Sequence, residues 1–311
     1  MTSDADSILE ESVSDHTEST TLNSSVVEYR IENGRTYHSY GSTQYYGPND
    51  EAAQMNQDLS HHLYTLILGG KLIYAPVDFA HDVLDLGCGT GMWAIDFADA
   101  HEEATVKGLD LSPIQPVMVP PNCTFEVDDY NQDFLDEDKY DLVHQRELLA
   151  TVPDWLVFYK KIFKSLKPGG WLDIMELDGS DPSYYSAAND DLPLPRGNPA
   201  RDSNEYGNKA VRMMGLDLDG TPKIEGWLKE AGTYISAKVE IKKIPIGAWM
   251  EDTEWQEIGK WNLVKLQKGI SDYIMRPYTM LLGWTTEEVN IFIDKLNAVM
   301  NDTSLKLYYH M

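Results

Sequence analysis

Seven residues, Asp85-Leu86-Gly87-Cys88-Gly89-Thr90-Gly91, set a carboxylate at the head of a turn in which three glycines alternate. Glycines so spaced let the backbone turn tightly and let a ligand lie against main-chain atoms. Asp110 stands 19 residues after Gly91. At the end of the next strand, a carboxylate there accepts hydrogen bonds from ribose hydroxyls. The spacing is G-x-G-x-G, not the G-x-G-x-x-G of pyrophosphate binders, and Asp85 would repel a phosphate. An acid at that position suits a ligand carrying an amine and a sulfonium, which describes S-adenosylmethionine. Asp128 and Asp129 follow a third strand, where they accept from the adenine amino group. Each acid alone has a local reading: Asp110 opens the turn before Ser112-Pro113, and Asp128-Asp129 forms a solvated acidic turn. Their shared register with three strands favours the cofactor.

Methyl transfer from a sulfonium needs a nucleophile behind the methyl group and water kept out. A hydroxyl acceptor must also lose a proton, whereas an amine need only be neutral. The acceptor-side candidates are His144 and Arg146 at the end of a fourth strand, Glu147 beside them, and Glu176 at the end of a fifth. His144 is the base candidate by residue type, because its ordinary pKa lies near neutrality. Its alternatives are a structural histidine or a cofactor contact. Glu176 is either catalytic or a buried, ion-paired carboxylate. Tyr184, Tyr185 and Trp249 are candidates for an aromatic acceptor wall. Cys88 reads as a small loop residue, and His61-His62 as structural, since no further ligands at metal spacing accompany them. No metal site is expected.

These residues need elements to hold them. A helix is expected from Asp50, with Met55, Leu59, Leu63 and Leu66 on one face and Gly69-Gly70 ending it. Strands are expected at 82–86, 104–109, 124–127, 140–144 and 171–177, with helices at 92–100 and 155–166. That alternation predicts a parallel, doubly wound α/β sheet with helices on both faces. Residues 179–201 break the rhythm as a long loop beyond a strand's carboxyl end, where open α/β sheets place ligands. Helical segments at 203–214 and 222–231, a strand at 239–246 and three helical stretches over 253–300 follow. Thr285 and Glu288 form a capping box. Trp255, Trp261 and Trp284 read mostly as core. The chain divides into an acidic tail (1–28) and one domain (29–311). Within that domain lie an N-terminal arm and helix (29–75), a cofactor core (76–178), a lid (179–235) and a C-terminal strand with a helical cap (236–311).

The 311 residues carry 25 Lys+Arg and 51 Asp+Glu, a net charge of −26. Residues 1–155 hold 6 basic and 29 acidic side chains, net −23, leaving 19 and 22, net −3, for the rest. Nucleic acid and anionic membranes are therefore disfavoured as partners, because Lys and Arg supply that affinity. Residues 1–28, with seven acids, seven serines and no Lys or Arg, read as disordered. Two cysteines make no disulfide framework. There is no signal-peptide pattern and no run near the ~20 apolar residues of a membrane span. The expectation is a soluble intracellular protein, cytoplasmic, or nuclear if its role is regulatory.

The segments VLDLGCGTGMWAIDFAD, GLDLSPIQP, VPPNCTFEVDD, DLVHQRELLATVPDW and LKPGGWLDIMELD resemble the fungal methyltransferases related to the secondary-metabolism regulator LaeA. The resemblance continues through ENGRTYHSY, PKIEGWLKEAG, IPIGAW and LLGWTTEEV, and covers about residues 28–311. It implies a Rossmann-like class I sheet of seven strands that binds S-adenosylmethionine at the strands' carboxyl ends. It also implies cofactor contacts from Trp93, Leu111 and Tyr130. Tyr37, with His38 and Tyr40, either closes over the cofactor or packs the arm. Family members usually continue beyond the segment resembling Leu305–His310, so either Lys306–Tyr309 is a shortened last strand or the sequence is truncated. The implied activity is O- or N-methylation of a small secondary metabolite. The alternatives are a regulator acting through protein partners and a catalytically silent relative.

Overall fold

The computed structural model describes residues 29–41, 43, 45–77, 79–132, 137–180, 182–232 and 236–311. The tail expected to be disordered lies outside them. A hairpin, β1 (Arg30–Glu32) and β2 (Arg35–Tyr37), leads to α1 (Glu51–Ile67). Asp50 caps α1, its carboxylate accepting from Ala53 N at 3.1 Å. The stripe expected on α1 packs into the core only in its second half, at buried Leu63 and half-buried Leu66. Met55 is 53% exposed, and the buried face runs through Ala53, Asn56, Ser60, Leu63 and Ile67, with His61 and Tyr64 beside it. Polar side chains on that face meet the glycine loop and the cavity, so counting apolar residues alone rotated the helix.

The central sheet comprises β3 (Asp82–Leu86), β4 (Thr105–Asp110), β5 (Cys123–Val127), β6 (Tyr140–Arg146) and β7 (Leu166–Met175). All are parallel, in the order β5-β4-β3-β6-β7. Helix α2 (Met92–Ala100) follows β3, and α3 (Trp155–Ser165) joins β6 to β7. Successive strand residues face opposite sides. Val83, Val106 and Leu142 therefore pack on Trp93 and Phe97 of α2, while Leu84, Leu86, Leu109 and Val143 pack on Trp155, Phe158, Tyr159 and Ile162 of α3. Near-continuous apolar strands follow from burial on both faces. The order in which strands are added reverses between β3 and β6, and ligands collect at such a switch point.

Beyond β7 lie β8 (Tyr185–Ser186) and β9 (Leu192–Pro193) in the long loop, then α4 (Pro199–Met213) and α5 (Ile224–Glu230). The strand expected at 239–246 shrinks to β10 (Lys243–Pro245). The three helical stretches expected next are two helices, α6 (Thr253–Met280) and α7 (Thr286–Met300), the latter with the Thr285/Glu288 capping box. The last strand, β11 (Leu307–His310), pairs antiparallel with β10 and β8, so Lys306–Tyr309 does contribute a strand. These strands form a separate sheet, β10-β11-β8-β9. The sheet of seven strands is thus five parallel strands plus an antiparallel annex. Residues 236–242 face the outer edge of β7 across a groove of 1160 Å³. A third apolar cluster joins α6, α7, β10 and β11 to Leu63 and Ile67 of α1, covering one end of the molecule. Among the described residues no helix is long and apolar enough to cross a membrane.

Candidate cofactor and acceptor site

The loop after β3 is shaped by its glycines. Gly91 caps α2 in the left-handed region at φ 79°, and a Cβ there would lie 2.3 Å from the Phe125 ring. Gly87 is also left-handed, at φ 67°. Only glycine adopts that conformation freely. Cys88 N donates to Leu109 O at 2.9 Å, tying the loop to β4. Asp110 then accepts from Gly89 N at 2.8 Å and from Ser112 N at 2.9 Å. Burial pushes the Asp110 carboxyl up to about 6, against the lowering effect of those two N–H groups. Asp85 is buried at the head of the loop, and its Oδ2 has no hydrogen-bond partner among the described residues. Burial raises its carboxyl too, opposed by His144 and Arg146 nearby.

A cavity of about 350 Å³ opens at the carboxyl ends of β3, β4, β6 and β7. Gly87, Cys88, Gly89, Asp110, Leu111 and Tyr130 form its cofactor-side wall. Arg146, Glu147, Glu176 and Tyr184 line the rest, with Tyr45, Tyr46, Tyr273 and Tyr309, which single-motif reasoning missed. Tyr45 and Tyr46 come from the arm before α1, which α6 clamps. Arg276 donates to Tyr45 O at 2.6 Å and to Glu32 at 2.8 Å, while Arg35 bridges Asp50 and Asp272.

Residues 147–150 between β6 and α3 are strained. Glu147 and Ala150 sit at φ 54° and 64° without being glycine. Glu176 holds this segment, its two oxygens accepting from Leu148 N at 2.8 Å and Leu149 N at 3.2 Å. Burial pushes the Glu176 carboxyl up to about 8, although those N–H groups lower it. Glu147 is different. Tyr64 Oη and Lys265 Nζ both donate to its Oε1 at 2.6 Å. Burial raises the Glu147 carboxyl, but Lys265 beside it prevails and holds it below the ordinary glutamate value. Lys265 is 1% exposed. A lysine inside the buried stripe Ile258–Asn262–Leu266–Gly269 of a long helix was the sequence signal for this pair.

Several expected site residues do not line the cavity. His144 is fully buried, stacked on Trp93 at 3.8 Å, with Nδ1 3.0 Å from Asp173 Oδ2. It faces α2 and does not line the cavity, its contacts are those of a packed structural histidine, and its Nε2 has no hydrogen-bond partner among the described residues. Trp93 shares that core and donates Nε1–H to Leu72 O at 2.8 Å. Tyr37 is buried with Arg276 over its ring at 4.6 Å, packing the arm. Asp128 and Asp129 are engaged by the arm, through Tyr40 Oη at 3.1 Å and Thr43 Oγ1. Tyr185 stacks on Tyr308 at 5.5 Å in the second sheet. Trp249 anchors its loop by donating to Leu307 O at 2.8 Å. None of these seven side chains lines the cavity; each is held by the contacts just described.

A family model described as a methyltransferase domain matches residues 52–232. Methyltransferase pytC of Aspergillus terreus is 36% identical over 94% of this chain and 87% of its own length. The secondary metabolism regulator laeA of Aspergillus fumigatus is 34% identical over 83% of this chain and 68% of its own. The protein-methionine methyltransferase laeA of Emericella nidulans is 31% identical over 86% and 70%. Among solved structures, phosphoethanolamine N-methyltransferase 2 of Haemonchus contortus aligns at 18% identity over 82% of this chain and 51% of that one, with a TM-score of 0.45. The parallel sheet, glycine loop and strand-end acid are those of an S-adenosylmethionine-dependent methyltransferase. The chain belongs to the LaeA- and pytC-type fungal methyltransferases. Its own residues fit the cofactor: the loop leaves main-chain room, and the orphaned Oδ2 of Asp85 lacks the partner that a cationic amine supplies.

Proposed function

We propose that this enzyme methylates a small, largely apolar or aromatic molecule carrying a hydroxyl or amine. The observation that carries the reading is the cavity itself. Its 350 Å³ falls in the size class of small-molecule sites, and it runs from the glycine loop to a wall of tyrosines that includes the Glu147 carboxylate. Bound S-adenosylmethionine supplies an electrophilic methyl group on a sulfonium. Gly87, Asp110 and Tyr130 hold the nucleoside side, while Tyr45 and Tyr46 of the clamped arm keep water from the acceptor side.

Glu147 takes the place proposed first for His144. Tyr64 and Lys265 fix its Oε1, leaving Oε2 to accept from the acceptor's O–H or N–H and to orient its lone pair. A hydroxyl oxygen becomes strongly acidic as it is methylated and passes its proton to Oε2; a neutral amine needs no base during the transfer, and its ammonium product loses the proton to water afterwards. Glu176 supports this arrangement by holding residues 147–150, which makes it a positioning residue. The test is methyl transfer from labelled S-adenosylmethionine to the small-molecule and protein fractions of a fungal extract. Label in the organic-extractable fraction supports the reading. Label confined to protein overturns it in favour of a protein acceptor, as the name of the Emericella nidulans relative describes for that protein. Glu147→Gln should lower turnover about 10²-fold, with cofactor affinity unchanged.

A further inference from the structure

The cavity holds a cation that the nucleoside contacts leave unused. Arg146 ends β6, and the register Leu86 to Gln145 sets it beside Gly87, at the head of the loop and away from Asp110. Lys265, the other cation on this wall, is neutralised by Glu147. Arg146 forms no ion pair among the described residues. Its guanidinium donates from Nη1 to His61 Nδ1 at 3.3 Å and lies over the Tyr64 ring at 4.9 Å. His61 is itself aimed, with Nε2 2.9 Å from Asp96 Oδ2. A neutral His61 satisfies both contacts, Nε2–H donating to Asp96 while Nδ1 accepts from Arg146. Burial, and then the charge of Arg146, keep it neutral by lowering its pKa.

A guanidinium oriented by a histidine and an aromatic face, with no other side-chain partner among the described residues, is a planar fork for a carboxylate. Asp85, close enough for the two charges to act on each other, brings a buried oxygen without a partner. Together they present one positive and one negative group at the same end of the loop, the complement of an α-amino acid zwitterion. We propose that Arg146 is the receptor for the carboxylate at the amino-acid end of S-adenosylmethionine, with Asp96 and His61 as its positioning residues. This moves Arg146 from the acceptor side, where its sequence position suggested it, to the cofactor. The inference rests on the cofactor assignment above.

The experiment is titration calorimetry of the full chain with S-adenosylhomocysteine and with its decarboxylated analogue. The wild type should prefer the carboxylate-bearing ligand by about 10-fold or more, the scale of charge-assisted hydrogen bonds. Arg146→Met should abolish that preference while binding the decarboxylated analogue as the wild type does. Arg146→Lys, which retains the charge and loses the fork, should keep part of it. His61→Phe should reduce the preference without changing affinity for the decarboxylated analogue, which a merely structural role would not do. Equal wild-type affinity for the two ligands overturns the proposal and leaves the cofactor assignment standing. Parallel weakening of both ligands in Arg146→Met and Arg146→Lys also overturns it. Failure of the wild type to bind either ligand removes the cofactor assignment and this inference together.

Discussion

Cofactor affinity should depend on pH through Asp110, and the structure sets both the direction and the size. Burial raises this carboxyl from 3.8 to about 6 in the folded protein. Its neutral form therefore favours folding at low pH, and that contribution is lost as pH rises through about 6. Binding runs the other way, because ribose hydroxyls donate and select the ionised carboxylate. With a midpoint near 6, the ionised fraction rises from roughly one-eleventh at pH 5 to roughly ten-elevenths at pH 7, so affinity should rise about 10-fold. Asp110→Asn preserves the shape and removes the charge. Two hydrogen bonds to an ionised acceptor at ~1.5 kcal/mol or more each put its loss at about 100-fold near neutral pH. Its profile between pH 5 and 7 should be flat. Calorimetry with S-adenosylhomocysteine at constant ionic strength reads both quantities. Glu176 titrates higher, at about 8, and on the acceptor side. A variant that retains the slope, or loses less than ~3-fold in affinity, would refute the ribose role of Asp110.

Three further outcomes are expected. Lys265→Met leaves the half-buried Glu147 carboxylate without its cation and should cost about 1–3 kcal/mol in urea unfolding, with most of it restored by adding Glu147→Gln. His144→Phe takes a donor from Asp173 and should cost about 1–3 kcal/mol, while turnover per folded molecule stays at the wild-type value; a loss of turnover beyond the unfolded fraction would return His144 to the chemistry. Arg276→Ala frees Glu32 and the Tyr45 carbonyl from α6. It should speed proteolysis of the arm and weaken cofactor binding several-fold, both measurable on the same preparation.

Much of the cofactor half was legible in the sequence because its information is local. A strand that ends in an acid, a turn that only glycine can make and a helix that starts at once specify one another within about thirty residues. Gly87, Gly89 and Asp110, which line the cavity, were thus legible from spacing alone, as were the five parallel strands. Period-two alternation did not decide which side chains at the strand ends face the ligand. His144 and Arg146 lie two apart on the same strand, yet one stacks on Trp93 and the other lines the cavity. Position along the strand separates them: Arg146 is its last residue, and His144 lies two residues deeper in the sheet.

The acceptor half is assembled from distant segments. Tyr45 from the arm, Tyr64 from α1, Glu147 after β6 and Lys265 from α6 meet only once the C-terminal helices close over the sheet. No spacing rule links positions 118 residues apart, such as Glu147 and Lys265. The sequence by itself determined the class of chemistry, because a cofactor loop is built from consecutive residues. Tertiary structure alone decided which groups face the acceptor, because burial and ion pairing between remote elements set where each side chain points and whether its charge survives.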